Sequence, residues 1–324
     1  MQLKLLIQIL LLFAAIIVAS GCVSRQAQKT APPIGELVEI AGETMHVLDI
    51  GPKDAALPPV LLIHGASVNL RDMKIALGDA LAENRRVIMI DRPGRGYSTR
   101  PEDGHRLELQ ARYLRWTLDH LGVENPIVVG QSFGGSVALS YALQYQDEMA
   151  GLVLLAPVSH EWSGGVAWYN RLSNTPVAGF ILRRTVVPYY GRLSAEDGVE
   201  ASFEPGEPPA NYAEEAGVSL LFRPKDFRAN ASDLARLKPQ ILDQQQRYGA
   251  LDLPVAIVSG AADDTVPPDV HAKILAEDVD GATLTLLPET GHALHHARSA
   301  EILEIIDAMS LVSEDRDVAP VSDS

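Results

Sequence analysis

Cysteine is nearly absent from this chain, since Cys22 is the only one among 324 residues. No second thiol is available for an intramolecular disulfide, so the fold must be held together by its hydrophobic core. With 47% hydrophobic residues, the chain can bury one substantial core. Its length and composition favour one α/β domain with an insertion over two equal domains.

Positive charge is the second scarce feature. The chain has 27 Lys and Arg residues against 42 Asp and Glu residues, a formal net charge of −15, and no basic block anywhere. A protein that binds nucleic acid needs clustered positive charge to meet the phosphates. We therefore expect no nucleic-acid partner.

The N-terminus has the pattern of an export signal. Lys4 precedes an apolar run at residues 5–18, and small residues follow up to Cys22. The junction at residues 19–22 resembles the lipobox of bacterial lipoproteins, although Ala19 replaces the more usual leucine. The resemblance implies that residues 1–21 are removed as a signal peptide and that Cys22 is lipidated. The alternative is an uncleaved membrane anchor, for which the apolar run is short.

Residues 22–35 are polar, with alanines and paired prolines, and are predicted to form a flexible tether. Val23 stands where, in the lipoprotein sorting pattern, an aspartate would favour retention at the inner membrane. The resemblance thus implies a protein of the cell envelope. The lipid on Cys22 would hold it at the outer membrane or on the periplasmic face.

Apolar runs alternate with helix-sized spacers along most of the remaining chain. We predict strands at residues 36–40, 45–50, 59–63, 86–90, 127–130, 152–155, 254–259 and 283–287. This alternation is typical of right-handed crossovers and of a mostly parallel sheet flanked by helices. The predicted core comprises residues 36–156 and 251–311.

The alternation stops at residues 157–250. This segment contains more than half of the chain's aromatic residues, several helical patches, and a break rich in proline and glycine at residues 204–209. We interpret an aromatic helical insertion between sheet strands as a lid over the site, with an ordinary packing subdomain as the alternative. The acidic residues 312–324 are predicted to be a disordered tail.

Ser132 lies between two glycines, Gly130 and Gly134, where an apolar strand-like run meets small and apolar residues at helical spacing. The pattern predicts a strand, a sharp turn and a helix. Such a turn strains the backbone of the serine and exposes its hydroxyl. Because a serine hydroxyl is a weak nucleophile at neutral pH, this role requires a base and a group that orients the base.

Four motifs carry a resemblance to the α/β-hydrolases with a lid, and it covers about residues 36–311. They are His64-Gly65, residues 91–96, residues 130–134, and the ordered pair Asp263 and His292. In that family the catalytic residues follow each other in the chain as Ser, Asp, His. The resemblance therefore implies a mostly parallel sheet with a helical lid insertion and a triad that begins at Ser132.

The resemblance also implies roles for the partners of the serine. His292 would be the general base, and Asp263 would orient its imidazole, with the neighbouring Asp264 as a competitor for that role. The backbone N–H groups of Phe133 and Ala66 would form the oxyanion hole.

Other polar residues in these motifs are interpreted as structural. His64 belongs to this group, and Asp91 and Arg92 are expected in a turn that is fixed by glycines and an ion pair. His295 and His296 have a spacing that resembles a metal-binding face, but no clustered carboxylate accompanies them in the sequence. We therefore predict neither a metal nor a cofactor.

Ser132 also narrows the chemistry, because members that resemble haloalkane dehalogenases and epoxide hydrolases carry an aspartate nucleophile. The resemblance implies a carboxylesterase-like serine hydrolase that acts on a small-molecule acyl substrate through an acyl-serine. The aromatic insertion favours an apolar acyl group or a small aromatic ester. Alternatives are a C–C bond hydrolase and a cofactor-free haloperoxidase-like perhydrolase. A non-enzymatic, ligand-binding lipoprotein is also possible, although a binder has no need for a strained serine.

Overall fold

Eight strands form one sheet in the computed structural model, which describes residues 2–191 and 193–318. The strands are β1 Glu36–Ile40, β2 Glu43–Ile50, β3 Val60–Ile63, β4 Val87–Ile90, β5 Ile127–Gln131, β6 Gly151–Leu155, β7 Val255–Gly260 and β8 Thr283–Leu287. Their spatial order is β1-β2-β4-β3-β5-β6-β7-β8. β2 pairs antiparallel with β1 and β4, and the other neighbours pair in parallel. The predicted α/β class with a mostly parallel sheet is confirmed.

Helices follow most of the strands. They are α1 Gln2–Thr30, α2 Leu70–Met73, α3 Asp79–Leu81, α4 Leu107–Leu121, α5 Phe133–Tyr145, α6 Trp168–Ser173, α7 Val177–Thr185, α8 Ala195–Phe203, α9 Tyr212–Glu215, α10 Pro224–Ala235, α11 Leu237–Gln244, α12 Ala272–Asp278, α13 Leu294–Ala297 and α14 Ser299–Val318. A π-helical turn, Lys74–Gly78, joins α2 to α3. Helices α6 to α11 all lie between β6 and β7, and we call this segment the insertion.

The central strands are buried on both faces, which explains their continuous apolar runs. In β3, Leu61 and Ile63 pack in a cluster with residues of α4 and α5. The alternate residues Val60 and Leu62 pack on the other face with residues of α2 and α14. The sheet therefore separates two hydrophobic layers, and the carboxyl ends of its parallel strands meet at one edge.

The N-terminal segment differs from its prediction, because α1 continues to Thr30 and so includes most of residues 22–35, which are expected to form a flexible tether. Ala27 and Ala31 are buried beside Leu220 of the insertion, and the hydroxyl of Tyr97 donates a 2.6 Å hydrogen bond to the carbonyl of Ala31. Small alanine side chains permit this close packing. Among the described residues, no helix has both the length and the apolar content needed to cross a membrane.

The C-terminal helix is also longer than predicted. α14 extends to Val318, although the last helix is expected to end near residue 311. The first part of the predicted disordered tail is therefore helical, and residues 319–324 lie outside the described residues.

Candidate active site

Ser132 occupies a sharp turn between β5 and α5. Its backbone has φ 53° and ψ −117°, a conformation that costs a non-glycine residue free energy. The turn also brings backbone segments close together, since a Cβ on Gly134 would lie 2.3 Å from the carbonyl oxygen of Ile63, and one on Gly130 would lie 2.4 Å from that of Gly134. Glycine is required at both positions because no side chain fits there.

The three predicted triad residues come together at the carboxyl edge of the sheet. His292, which follows β8, places its Nε2 3.0 Å from the Oγ of Ser132. Its Nδ1 lies 2.8 Å from Oδ2 of Asp263, which follows β7. Because a carboxylate only accepts hydrogen bonds, Nδ1 carries the proton and Nε2 is free to accept one from the serine.

Asp263 is held in place by its own backbone turn. Its Oδ1 accepts hydrogen bonds of 2.8 Å from the N–H groups of both Thr265 and Val266, and its side chain is fully buried. The competing residue Asp264 is exposed to solvent in the same turn. The structure thus places Asp263, and not Asp264, against the imidazole of His292.

The two predicted oxyanion donors belong to two segments near the serine. Phe133 is the first residue of α5, and Ala66 follows β3 and lines the same cavity as Ser132. The buried guanidinium of Arg92 donates 3.0 Å hydrogen bonds to the carbonyls of His64 and Gly65, and it lies 4.3 Å from the ring centroid of Phe133. One side chain therefore supports both segments that carry the predicted donors.

Arg92 is paired with the insertion, through Asp233 of α10. The Arg92 Nη1 lies 3.1 Å from Oδ2 of Asp233, and Arg100 lies 2.6 Å from Oδ1. Burial lowers the pKa of Arg92 to about 10, so the guanidinium stays charged at neutral pH. Asp91 has a separate partner, His46, at 2.6 Å. A single ion pair is expected in this turn. The structure instead pairs Arg92 with Asp233 and Asp91 with His46, and both partners lie in distant segments of the chain.

Two further histidines stay neutral near the site. His64 accepts the N–H of Arg92 at Nε2 and donates from Nδ1 to Gly65, and burial together with Arg92 lowers its pKa to about 3. His271 lines the cavity and accepts the N–H groups of Ser159 and His160 at Nδ1. Burial lowers its pKa to about 4. No motif in the sequence points to His271.

A carboxylate from a distant part of the chain accompanies His295 and His296 in the structure. Asp72, on α2, accepts hydrogen bonds from the Nε2 of His295 at 2.9 Å and of His296 at 2.8 Å, and from the hydroxyl of Tyr212 at 2.7 Å. Burial alone would raise the pKa of Asp72, but the two imidazoles hold it well below its usual range. Any cation bound by these three groups would have to replace the two imidazole protons.

Ser132 and His292 open onto a cavity of about 470 Å³ beneath the insertion. Much of its wall is apolar, with Trp162, Leu234 and Leu237 contributed by the insertion. Among the described residues that line it, Asp72 is the only carboxylate and there is no lysine or arginine. The cavity is therefore suited to an uncharged group.

Comparisons with known proteins agree with this architecture. A family model described as the alpha/beta hydrolase fold matches residues 58–298. The chain is 27% identical to 2-hydroxymuconate semialdehyde hydrolase of Pseudomonas putida over 296 residues, which are 86% of this chain and 95% of that protein. It is 30% identical to haloalkane dehalogenase 2 of Mycobacterium tuberculosis H37Rv over 199 residues, 57% of this chain and 65% of that one.

Solved structures give the same fold. The enol-lactonase of Burkholderia xenovorans LB400 superposes with a TM-score of 0.67 at 19% sequence identity. The superposition covers 85% of this chain and 99% of the other.

Proposed function

Since this chain belongs to the α/β-hydrolase fold family, we propose that it hydrolyses uncharged carboxylic esters through an acyl-serine intermediate. One observation carries the proposal: an unbroken hydrogen-bonded chain runs from Ser132 through His292 to Asp263, with distances of 3.0 and 2.8 Å. Hydrogen-bonded Ser, His and Asp in this arrangement perform acyl transfer on several unrelated folds.

The reaction would proceed in two halves. The Oγ of Ser132 attacks the ester carbonyl while the Nε2 of His292 takes its proton, and Asp263 stabilises the imidazolium that forms. The negative oxygen of the tetrahedral intermediate accepts hydrogen bonds from the backbone N–H groups of Phe133 and Ala66. Collapse breaks the ester bond, and His292 returns the proton to the departing alcohol. Water then attacks the acyl-serine by the same route and releases the acid.

The cavity favours a neutral substrate over an acidic one. A carboxylate moved from water into a buried site needs a cation or several donors to offset its desolvation. The described wall offers no lysine or arginine, and it already holds the anion Asp72. An uncharged ester avoids both costs.

A C–C bond hydrolase is the second candidate, because 2-hydroxymuconate semialdehyde hydrolase aligns with this chain over 95% of its own length. By its name that relative acts on a muconate derivative, which carries a carboxylate. The lack of a cation in the described cavity wall favours the ester over such a substrate. Dehalogenation is disfavoured, since an alkyl halide displacement in this family uses an aspartate where this chain has Ser132.

The proposal is tested with the purified protein on two substrates. We expect p-nitrophenyl acetate to be hydrolysed and a fluorophosphonate to label Ser132 stoichiometrically, with neither result in Ser132→Ala. A 2-hydroxy-6-oxo-dienoate should be cleaved more slowly than the ester. Faster cleavage of the dienoate would favour the C–C bond hydrolase. A folded protein that takes up no fluorophosphonate would be a ligand-binding protein instead.

We also propose that Cys22 is lipidated and attaches the protein to a membrane of the cell envelope, at the outer membrane or on the periplasmic face. The side chain of Cys22 is exposed, as lipidation requires. Ala27 and Ala31 are packed on the folded domain, so few residues separate the domain from the lipid. The domain would then lie close to the membrane surface.

A further inference from the structure

A second cavity of about 510 Å³ adjoins the catalytic one. The two share part of their walls, including Ala66, Ser67, Gly198, Ser202 and Leu234. Ala66 is one of the predicted oxyanion donors, so the shared wall begins where the carbonyl of a bound ester would lie. We call the second cavity the side chamber.

The side chamber is lined mostly by apolar groups of the insertion. They come from α6, α7, α8, α10 and the turns between them, with Leu182, Val187, Val199, Val218, Phe222 and Phe227 among them. None of the described residues in its wall is charged. A wall of this composition binds hydrocarbon, because moving apolar surface out of water is favourable.

Several of the polar groups in that wall are already engaged. The hydroxyl of Ser202 donates to the carbonyl of Val199, and that of Ser194 donates to the carbonyl of Tyr190. Asn230 bonds both the N–H and the hydroxyl of Ser67. A polar ligand at these groups would therefore have to displace existing hydrogen bonds, whereas a hydrocarbon chain would not.

Gly198 lies at the junction of the two cavities and has no local reason to be glycine. It is in the interior of α8, its backbone does not adopt positive φ, and a Cβ built there would meet no atom within 4 Å. Glycine destabilises a helix interior relative to alanine. Gly198 is exposed, and its missing side chain leaves open space beside the wall that both cavities share.

We propose that the side chamber binds the hydrocarbon chain of a long acyl group while the ester carbonyl lies at Ser132, and that the bare Gly198 keeps the junction open. This inference rests on the proposed ester hydrolysis and narrows it to esters of apolar, chain-like acids. Because each buried methylene favours binding, kcat/KM should rise by up to about four-fold per methylene as the acyl chain lengthens into the chamber.

The test compares p-nitrophenyl acetate with p-nitrophenyl octanoate in three proteins: wild type, Gly198→Ala and Gly198→Phe. The measured quantity is the ratio of kcat/KM for octanoate to that for acetate. Phenylalanine at the junction should lower this ratio by about ten-fold or more, because at least two methylenes of the octanoyl chain would no longer be buried in the side chamber. Alanine adds a single methyl into open space and should keep the ratio near that of the wild type.

Turnover of acetate shows that each variant is folded and its triad is intact. If Gly198→Phe does not fold, Gly198→Leu replaces it, since leucine is a strong helix former. An unchanged ratio in a blocked variant that still hydrolyses acetate would overturn the side chamber as the acyl site but leave ester hydrolysis standing. A wild type that hydrolyses neither ester and takes up no fluorophosphonate would overturn both.

Discussion

Replacing Asp263 by asparagine should reverse the hydrogen bond between His292 and Ser132. Oδ1 of Asp263 accepts two backbone N–H groups, from Thr265 and Val266, while Oδ2 faces the imidazole. An asparagine would keep its oxygen on the two backbone donors and turn its NH₂ toward His292. Nδ1 must then be unprotonated, so the ring proton moves to Nε2 and is donated toward the serine. The imidazole can no longer accept the serine proton.

The expected loss is large because the base itself is removed. In trypsin the equivalent substitution lowers kcat by about 10⁴-fold, which is about 5.4 kcal/mol of transition-state stabilisation. The fold should survive, since asparagine has nearly the same shape and retains both backbone hydrogen bonds. The midpoint of denaturant unfolding should therefore move little while kcat collapses.

Asp264→Asn is the matched control, because Asp264 is exposed in the same turn. Its effect should stay within the range of ordinary surface substitutions, about 0.5 kcal/mol. Both variants are assayed with p-nitrophenyl acetate under saturating conditions. An Asp263→Asn protein that retains more than about a tenth of the wild-type kcat, or an Asp264→Asn protein that loses it, would show that the tautomer argument is wrong.

Three further outcomes are expected. Arg92→Lys should lower kcat by about 10²-fold with little change in KM, because lysine cannot bridge the carbonyls of His64 and Gly65 beside the predicted oxyanion donors. Arg100→Lys should cost far less. Equal losses of kcat in the two variants would assign Arg92 a purely structural role. The pKa values of His64 and His271, about 3 and 4, lie below the ordinary 6.5, so the unfolded chain binds more protons. The unfolding free energy should fall as the pH drops below about 6.5, by at most about 1.4 kcal/mol per pH unit for each histidine. The His271→Gln variant should show a weaker dependence of the unfolding free energy on pH. An unfolding free energy that does not change between pH 7.5 and 5 would contradict this. Cys22→Ser should abolish labelling by radioactive palmitate in the native host, and unchanged labelling would exclude this cysteine as the lipid site.

Local patterns predict the parts of this fold whose causes lie within a few residues. Residues 107–121 have a helical periodicity that stops at Gly122, and helix α4 covers this same range because Gly122 adopts a left-handed conformation at its C-cap. The turn at Ser132 is also predicted from neighbouring residues, since the glycines around it indicate that backbone segments approach closely there. The order of Ser132, Asp263 and His292 along the chain is the one that the α/β-hydrolases use for their triad. The structure joins these three side chains by hydrogen bonds.

Interactions between distant segments have no comparable signal. Asp72 lies more than 220 residues from His295 and His296 in the chain, so only the packing of α2 beside α13 reveals the carboxylate that the histidines contact. The pairing of Arg92 with Asp233 is hidden in the same way. The partner of a buried charge depends on which distant segment packs against it, and the spacing of residues in the sequence gives no information on that packing.

The ion pair between Arg92 and Asp233 has a consequence for modularity. Asp233 is carried by the insertion, and so is Tyr212, which bonds Asp72 of the core. Excising the insertion would remove the carboxylate partner of the Arg92 guanidinium and one of the three hydrogen bonds to Asp72, and a buried guanidinium without its carboxylate is strongly destabilising. The insertion is thus not an interchangeable part. A chimera that exchanges it between relatives must transfer Asp233 and Tyr212 together with the helices, or Arg92, which supports the segment before Ala66, loses its partner.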